Sequence, residues 1–247
     1  KHIFDTNPLV IKAVDDVSLE IPKKKIVALI GESGSGKTTL ARSIARLVKP
    51  LDGEIFYENV DILKLNATDF NKIYRKKIQI IFQDPYSSLN PRLTVCEIIT
   101  EALVYHQLIK KNEMRDKAIE LLKIVGLDEN YVDRYPHEFS GGQRQRISIA
   151  RALALKPEFI ICDEPISALD VSIRAQILNL MIDLKNDFNL TYLFITHDLS
   201  VVYAIADLAA IMYKGKIIEF DTIENIFQNP KNEYTRQLIA AAPKIIS

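Results

Sequence analysis

The sequence has few cysteines, no excess of either charge and no long apolar run. Each of these absences argues against a class of protein. The two cysteines, Cys96 and Cys162, lie far apart without metal or redox spacing, which excludes a disulfide scaffold and favours a reducing compartment. Lysine plus arginine number 32, as do aspartate plus glutamate, so net charge points neither to nucleic acid nor to an anionic membrane surface. No apolar run reaches the roughly 18 to 20 residues that span a bilayer, and the first residues do not resemble a signal peptide. We therefore expect a cytosolic protein whose 247 residues bury one sizeable core.

A complete phosphate-binding motif follows the first apolar run of the chain. Residues 31–38 match G-x-x-x-x-G-K-[ST] without a gap, after a buried-type strand at residues 25–30. Apolar residues at helical spacing follow the motif as far as Pro50. In this context the loop's backbone N–H groups converge on phosphate oxygens, and lysine and threonine supply a positive charge and a magnesium ligand. The sequence predicts a nucleotide site with the loop residues Gly31, Ser33, Gly34, Ser35, Gly36, Lys37, Thr38 and Thr39.

The rest of the chain divides by pattern into strands, then helices, then strands again. Alternating residues 13–21 predict a half-buried strand, and the turn at residues 58–59 predicts a hairpin. A strand at residues 77–82 leads directly into Gln83 and a loop with two prolines. Helical spacing then dominates from about residue 95 to 125. These changes predict an α/β protein with an inserted helical lobe.

A second candidate anion site begins at Ser140. This serine is a good helix N-cap, and Gly141 and Gly142 allow another backbone to approach closely before Gln143. On its own this turn is typical of a simple helix cap. Because it follows a phosphate loop in the same chain, we interpret it as a second anion site.

Polar residues also end two apolar strands. Asp163 and Glu164 end the strand at residues 159–162, where buried carboxylates need a cation or hydrogen-bond donors. Beside a nucleotide, Asp163 is predicted to hold magnesium through water, and Glu164 to orient or deprotonate the attacking water. His197 follows the strand at residues 190–196 and is placed to donate a hydrogen bond to a terminal phosphate.

Taken together, these segments resemble the nucleotide-binding subunit of an ATP-binding cassette (ABC) transporter, over essentially the whole chain. Six markers stand in the family's order: the phosphate loop at residues 31–38, the glutamine loop at Gln83, the signature Ser140-Gly141-Gly142-Gln143, the acidic strand end Asp163-Glu164, the loop at residues 167–170 and the switch histidine His197. Phe139 stands where leucine is commoner, which leaves the backbone donors of the signature intact. The resemblance implies a single domain with a P-loop NTPase (RecA-like) core at residues 1–84 and 158–247. It also implies an N-terminal antiparallel β subdomain and a helical subdomain at residues 85–157.

The resemblance further implies the substrate, the cofactor and a role for each marker. ATP is the substrate, Mg²⁺ is the cofactor, and two identical or paralogous ATPase subunits close head to tail. The implied catalytic residues are Lys37, Gln83, Glu164 and His197, and the implied Mg²⁺ ligands are Thr38, Gln83 and Asp163. Residues 140–143 serve the ATP of the partner, Asp170 is a further nucleotide-binding residue, and Phe4 stacks on adenine.

The same resemblance implies partners at the cytoplasmic face of the membrane, where the subunit is peripheral. Transmembrane permease subunits are expected to dock on the helical lobe and on the loop after Gln83, with Tyr86 and Leu89 as anchors. An extracytoplasmic substrate-binding protein is an indirect partner. We expect no nucleic-acid partner.

A finer resemblance is to the oligopeptide and dipeptide importer branch, in residues 12–18, 83–92 and 227–236. Similar sequences import oligosaccharides, nickel or glutathione, so peptides are the first of several expected cargoes. A DNA-acting ATPase of this family carries a long heptad-rich insertion, and a ribosome-bound factor carries two cassettes, so both alternatives are disfavoured. The presence of both Glu164 and His197 argues against a subunit that does not hydrolyse ATP.

Overall fold

The computed structural model describes residues 12–241, and a six-stranded sheet lies at its centre. The strands are β1 (Ile26–Ile30), β2 (Phe56–Tyr57), β3 (Val60–Asp61), β4 (Ile78–Ile81), β5 (Phe159–Asp163), β6 (Thr191–Ile195), β7 (Leu208–Tyr213) and β8 (Lys216–Thr222). The order in the sheet is β4-β5-β6-β1-β7-β8, in which the first five strands are parallel and β8 is antiparallel to β7. The predicted α/β class is therefore confirmed.

The antiparallel part of the N-terminal half is the small hairpin of β2 and β3. Its turn residues, Glu58 and Asn59, have φ values of 49° and 66°. Positive φ at both central residues is what a type I′ hairpin turn requires. The predicted hairpin is thus confirmed, although each of its strands is two residues long.

The central strands are apolar because the sheet is covered on both faces. All five residues of β1 are buried, and they alternate between two core clusters. Ile26, Ala28 and Ile30 pack into the larger cluster, which also contains the apolar side chains of the helical lobe. Val27 and Leu29 pack into the smaller cluster on the opposite face. A run without polar residues is what a parallel strand buried on both faces needs.

Eleven α-helical segments surround the sheet within residues 12–241. They are α1 (Lys37–Ile44), α2 (Ala67–Asp69), α3 (Arg75–Lys77), α4 (Pro85–Ser88), α5 (Val95–Tyr105), α6 (Met114–Ile124), α7 (Gly141–Leu153), α8 (Val171–Phe188), α9 (Leu199–Ile205), α10 (Ile223–Gln228) and α11 (Glu233–Ala240). A π-helical turn, Phe70–Tyr74, joins α2 to α3. None of these helices is long and apolar enough to span a membrane.

Helices α4 to α7 occupy the stretch between β4 and β5, as the change of pattern predicts. Thr94 caps α5 by accepting from the backbone N–H of Glu97, and the Glu97 carboxylate accepts from the backbone N–H of Thr94 in return. Gly126, at φ 69°, ends the segment after α6. The boundaries of the helical subdomain at residues 85 and 157 stay a prediction.

The strand predicted at residues 13–21 is wrong, since none forms there. Asp16 has φ 53°, which interrupts an extended backbone. The backbone N–H of Asp15 donates to the carbonyl of Gly215 at 2.8 Å, one isolated bond rather than a ladder. Val17 and Leu19 still pack against the smaller core cluster. The alternation of apolar and polar residues in this segment therefore indicates that one side of it is buried. It does not indicate that a neighbouring strand pairs with it.

The helix after the phosphate loop is shorter than its apolar spacing predicts. It ends at Ile44, and Arg46 adopts φ 53° instead of continuing towards Pro50. The guanidinium of Arg46 donates to the carbonyls of Ile62 and Leu65 at 2.8 and 3.0 Å. These tertiary bonds hold the left-handed residue that ends the helix.

Candidate nucleotide-binding site

Four neighbouring strands deliver the predicted site residues to one edge of the sheet. Strands β4, β5, β6 and β1 are adjacent and parallel, so their carboxyl ends meet at the same edge. Gln83 follows β4, Asp163 and Glu164 end β5, and His197 follows β6. The phosphate loop follows β1. Topology alone therefore gathers residues that lie far apart in the sequence.

The phosphate loop is pressed against two other segments of the chain. A Cβ atom on Gly36 would lie 2.0 Å from the carbonyl oxygen of Ala13, and one on Gly31 would lie 2.1 Å from that of Met212. Gly36 also has φ 107°, where residues with side chains are strained. The backbone N–H of Gly215 donates to the carbonyl of Ser35 at 2.9 Å. The loop thus forms a cradle of fixed shape that glycine alone permits.

The first turn of α1 is open to an anion. Its N-cap is Gly36, which offers no side-chain cap, so the N–H groups of this turn have no side-chain partner there. The loop residues Ser33 and Gly34 are exposed, and Thr39 is half-buried. Donors of this kind at a helix N-terminus fit a phosphate group.

Lys37 supplies a buried positive charge at this turn. Its side chain is enclosed, and Nζ donates to the carbonyls of Gly31 and Glu32, at 2.7 Å each. Burial lowers the pKa of Lys37, while the carboxylates of Glu164 and Asp163 act in the opposite direction. A poorly solvated ammonium group held by two carbonyls of the same loop is placed to turn towards a phosphate.

Thr38 and Asp163 place two side-chain oxygen atoms next to the phosphate loop. Thr38 Oγ1 donates to Asp163 Oδ1 at 3.1 Å. Asp163 is 2% exposed, and this burial raises the pKa of its carboxyl group. Mg²⁺ prefers such oxygens and is usually held by one or two protein groups together with substrate phosphates and water. Among residues 12–241, no group of three or more His, Cys, Asp or Glu side chains could hold a metal by itself.

Glu164 joins two other predicted residues at one oxygen atom. Its Oε2 accepts from Gln83 Nε2 at 3.2 Å and lies 3.4 Å from His197 Nδ1. Glu164 has φ 48°, and its backbone N–H donates to the carbonyl of Ile195 at 3.0 Å. A left-handed residue other than glycine costs of order 1–3 kcal/mol, and such strain clusters at functional sites. The side chain of His197 is 65% exposed, so an incoming ligand can reach it.

The signature segment is satisfied by its own side chains. Ser140 Oγ accepts from the backbone N–H of Gln143 at 3.3 Å, and Gln143 Oε1 accepts from the backbone N–H of Ser140 at 3.0 Å. This pair is a capping box at the start of α7, which confirms the predicted N-cap. Gly142 packs against α8, since a Cβ there would lie 2.5 Å from Cγ2 of Ile173.

The structure therefore brings part of the predicted site together. Lys37, Thr38, Gln83, Asp163, Glu164 and His197 are linked by the contacts above. Within residues 12–241, no hydrogen bond joins Ser140 or Gln143 to the phosphate loop, and Asp170 stands at the N-cap of α8 without a side-chain cap bond. The predicted adenine-stacking residue, Phe4, lies outside the described residues.

Two contacts to the phosphate loop were not predicted from the sequence. The β7–β8 turn reaches Ser35 through Gly215, and Met212 backs Gly31. Lys214 and Gly215 have φ values of 45° and 83°, as a two-residue hairpin turn requires. A two-residue turn between two apolar runs is the sequence signal from which this hairpin could have been predicted. Its proximity to the loop has no local signal, because it depends on the order of strands in the sheet.

Comparison with known proteins identifies the family. The profile described as ABC transporter matches residues 14–167, which is more than half of the chain. The chain belongs to the ABC transporter family. As a member of this family it is an ATPase that uses ATP and Mg²⁺, and its fold is that of a P-loop NTPase.

Similar sequences and solved structures place the chain more narrowly within this family. The chain is 51% identical to the oligopeptide transport ATP-binding protein OppF of Bacillus subtilis, over 98% of this chain and 80% of that protein. It is 49% identical to the dipeptide transport ATP-binding protein DppF of Escherichia coli, over 99% of this chain and 73% of that protein. Among solved structures, it is similar to the dimeric post-hydrolysis state of the ATP-binding cassette MJ0796 bound to ADP and Pi. That match has a TM-score of 0.79 and 32% identity, over 89% of this chain and 94% of that chain.

Proposed function

We propose that this ATPase powers the import of peptides through membrane permease subunits, as one of two ATPase subunits that close head to tail. The observation that carries the proposal is the convergence of Gln83 and His197 on Glu164 Oε2 beside the phosphate loop. This arrangement suits an attacking water that one carboxylate holds and its neighbours orient. A subunit of this kind is peripheral to the membrane and lies at its cytoplasmic face.

The residues around the phosphate loop have separate roles in phosphoryl transfer. Backbone N–H groups of the loop and the ammonium of Lys37 bind the phosphates. Thr38 and Gln83 directly, and Asp163 through water, would hold Mg²⁺, which neutralises charge on the phosphate oxygens when bound. Glu164 accepts the proton of the attacking water, and His197 donates a hydrogen bond to the terminal phosphate.

The signature residues serve the second ATPase subunit in this proposal. Ser140, Gly141, Gly142 and Gln143 start a helix that is already capped and has no bond to its own phosphate loop among the described residues. A segment that is shaped in advance and unused within its own chain fits a role across an interface. Asp170 stands at the start of α8, the helix on which Gly142 packs, and joins this face. The dimeric MJ0796 cassette, with its ADP and Pi, supports the same arrangement.

The permease is expected to dock beside the glutamine loop, although one predicted anchor is wrong. Leu89 is 1% exposed and packs in the larger core cluster, so it cannot contact a partner. Tyr86 is 61% exposed, and the guanidinium of Arg144 lies 3.6 Å from its ring centroid. We propose Tyr86 as a contact to the permease, held in place by a cation–π interaction with the signature helix.

The role of Glu164 is tested by Glu164→Gln in the subunit assembled with its permease. This substitution keeps size and hydrogen bonding but removes the base, so we expect ATP hydrolysis to fall by roughly 10²–10⁴-fold. Binding of ATP, measured by calorimetry, should be retained. Hydrolysis near the wild-type rate would show that Glu164 is not the base. Lys37→Ala is the matched reference, because it should weaken ATP binding itself.

The cargo is tested in the same assembly, in vesicles that also receive an extracytoplasmic binding protein. Peptide cargo follows from the printed functions of the OppF and DppF relatives. Di- and oligopeptides should therefore accelerate ATP hydrolysis and accumulate in an ATP-dependent manner. Acceleration by oligosaccharides, nickel or glutathione instead would replace peptides as the cargo. DNA- or ribosome-stimulated hydrolysis at physiological salt would overturn the transport proposal.

A further inference from the structure

The left-handed backbone of Glu164 is held by hydrogen bonds on both sides of the residue. Its N–H donates to the carbonyl of Ile195 at 3.0 Å. Its own carbonyl accepts from the backbone N–H of Ser167 at 3.3 Å and from Ser167 Oγ at 3.0 Å. A non-glycine residue at φ 48° persists only where its surroundings fix it. The direction of the Glu164 side chain therefore depends on where Ser167 is held.

Arg174, in the first turn of α8, holds the loop to which Ser167 belongs. Its Nη2 donates to the carbonyl of Ser167 at 3.2 Å, and its Nε donates to the carbonyl of Leu169 at 2.8 Å. A guanidinium group is planar and presents its N–H donors in a rigid fork, so two bonds from one group fix both carbonyls relative to α8. Arg174 thus sets the position of residues 167–169.

The charge of Arg174 matters less than these two bonds. Its Nη1 lies 3.9 Å from Asp198 Oδ2, at the limit of an ion pair, and the two side chains are 34% and 35% exposed. Exposed ion pairs contribute little to stability. Asp198 has another task, because its Oδ1 accepts from the backbone N–H groups of Ser200 and Val201 at the start of α9. The carbonyls of the loop are therefore the partners through which Arg174 acts.

We propose that Arg174 is a positioning residue for ATP hydrolysis, which fixes Ser167 and through it the backbone and carboxylate of Glu164. The contacts run from the guanidinium to the carbonyl of Ser167, and from the N–H and hydroxyl of Ser167 to the carbonyl of Glu164. Within residues 12–241, Arg174 makes no hydrogen bond to the phosphate loop. It therefore acts on the hydrolytic step and leaves the binding of ATP unchanged. This inference rests on the proposed role of Glu164 as the base.

The test is Arg174→Met in the subunit assembled with its permease, because methionine keeps an aliphatic side chain and removes every donor. We expect kcat for ATP hydrolysis to fall by roughly tenfold to 100-fold, the effect of displacing a reacting group by about 1 Å. The KM for ATP, and the Kd measured by calorimetry, should stay unchanged, since no contact to bound ATP is removed. Arg174→Lys should recover little of kcat, because an ammonium group lacks the fork that reaches two carbonyls.

A double substitution separates positioning of the base from general damage to the fold. In the Glu164→Gln background, Arg174→Met should lower the residual single-turnover hydrolysis by less than about twofold, because residues that act as a unit are not additive. A further loss as large as in the wild-type background would show that Arg174 acts by another route, and it would overturn the inference. Near wild-type kcat in Arg174→Met, while Glu164→Gln has lost hydrolysis, would also overturn it and leave the proposed function intact. Wild-type hydrolysis by Glu164→Gln would instead contradict the proposed function.

Arg46→Met is the matched control. Arg46 also donates to two loop carbonyls, those of Ile62 and Leu65, but these follow the β2–β3 hairpin. Both variants should lower the Tm without nucleotide, since each leaves two carbonyls without their donors. At a temperature at which both variants are folded, Arg174→Met alone should lower kcat. An equal loss of kcat in Arg46→Met would mean that reduced stability explains the effect, and the positioning role of Arg174 would be wrong.

Discussion

The phosphate loop and the signature segment both use glycines to start a helix, yet they are built in opposite ways. Helix α1 begins at Gly36 with no side-chain cap, whereas α7 begins at Ser140 with a complete capping box. The N–H groups in the first turn of α1 therefore have no side-chain cap, whereas α7 satisfies part of its own through Ser140 and Gln143. The difference indicates that the phosphate loop leaves N–H donors available to a ligand, whereas the signature segment is capped by its own side chains.

The space around the glycines also differs between the phosphate loop and the signature segment. A Cβ on Gly36 would lie 2.0 Å from a backbone oxygen of Ala13, which cannot move without displacing a chain segment. A Cβ on Gly141 would meet its nearest neighbour, Cδ2 of Leu169, at 3.4 Å, an ordinary contact. Glycine is thus required by shape in the loop. At residue 141 this chain tolerates a larger side chain, and any need for glycine must come from outside the chain.

The largest expected effect comes from comparing Gly36→Ala with Gly141→Ala. Gly36→Ala should displace the loop by about 1 Å and reduce hydrolysis by roughly 100-fold, with weaker binding of ATP by the isolated subunit. Gly141→Ala should leave that binding within about twofold, since its backbone strain and contacts are small. It should nevertheless reduce hydrolysis in the assembled pair. Calorimetry on the single subunit and ATPase assays on the assembly separate the two.

Equal weakening of ATP binding by Gly36→Ala and Gly141→Ala in the isolated subunit would contradict the difference drawn between the phosphate loop and the signature segment. That result would mean that the signature residues act within their own chain. Equal hydrolysis by wild type and Gly141→Ala in the assembly would contradict the role of this segment at the partner's nucleotide.

A smaller effect concerns charge, which also separates the two regions. Residues 140–143 contain no ionisable side chain, whereas Asp163 beside the phosphate loop is a buried carboxyl group. Burial raises the pKa of Asp163, so the folded state favours its protonated form. The stability that this group contributes is present below its unfolded pKa, near 3.9, and is lost as pH rises through the folded pKa. Asp163→Asn should therefore raise the Tm at pH 7, with a gain that disappears on acidification, while it lowers ATPase activity.

Asp207→Asn is the control with the opposite sign. Burial alone raises the pKa of Asp207, but hydrogen bonds from Lys25 and from the backbone N–H of Ile26 lower it overall. Its stabilising effect is present above its unfolded pKa and is lost as pH falls through the folded pKa. This variant should lower the Tm at pH 7. Because 1 kcal/mol changes the Tm of a chain of this size by about 2–4 °C, thermal melts between pH 4 and 8 resolve both signs. A lower Tm for Asp163→Asn at pH 7 would contradict the destabilising role of its charge.

Local patterns predicted most of the elements that carry the site. Apolar strands ending in Gln83, Asp163 and His197 were visible because buried parallel strands have no polar residues until they reach the edge. The cap at Ser140 was visible because its chemistry is local. The strand at residues 13–21 could not be excluded from the sequence, since alternation reports burial on one face and not the presence of a partner strand.

Contacts that depend on sheet order had no such signal. The sequence does not state that β7 lies beside β1, so the approach of Met212 to Gly31 could not be predicted. The burial of Leu89 escaped for a similar reason, because its place in the core depends on packing between distant segments. The packing of Tyr234 on Tyr213 depends on the path of the last helix, which no short pattern encodes.

The fit of the glycine loop between Ala13 and Met212 has a consequence for synthesis. Ala13, on one side of the loop, precedes the phosphate motif in the sequence, whereas Met212, on the other side, belongs to β7 and is synthesised long after the motif. A chain that is still emerging from the ribosome has the whole phosphate motif but lacks the strand that shapes it. Because a domain folds as a unit during synthesis, the phosphate loop takes its final shape only after β7 has been made. ATP therefore stabilises a chain in which β7 has already been made, and it contributes little to earlier folding intermediates.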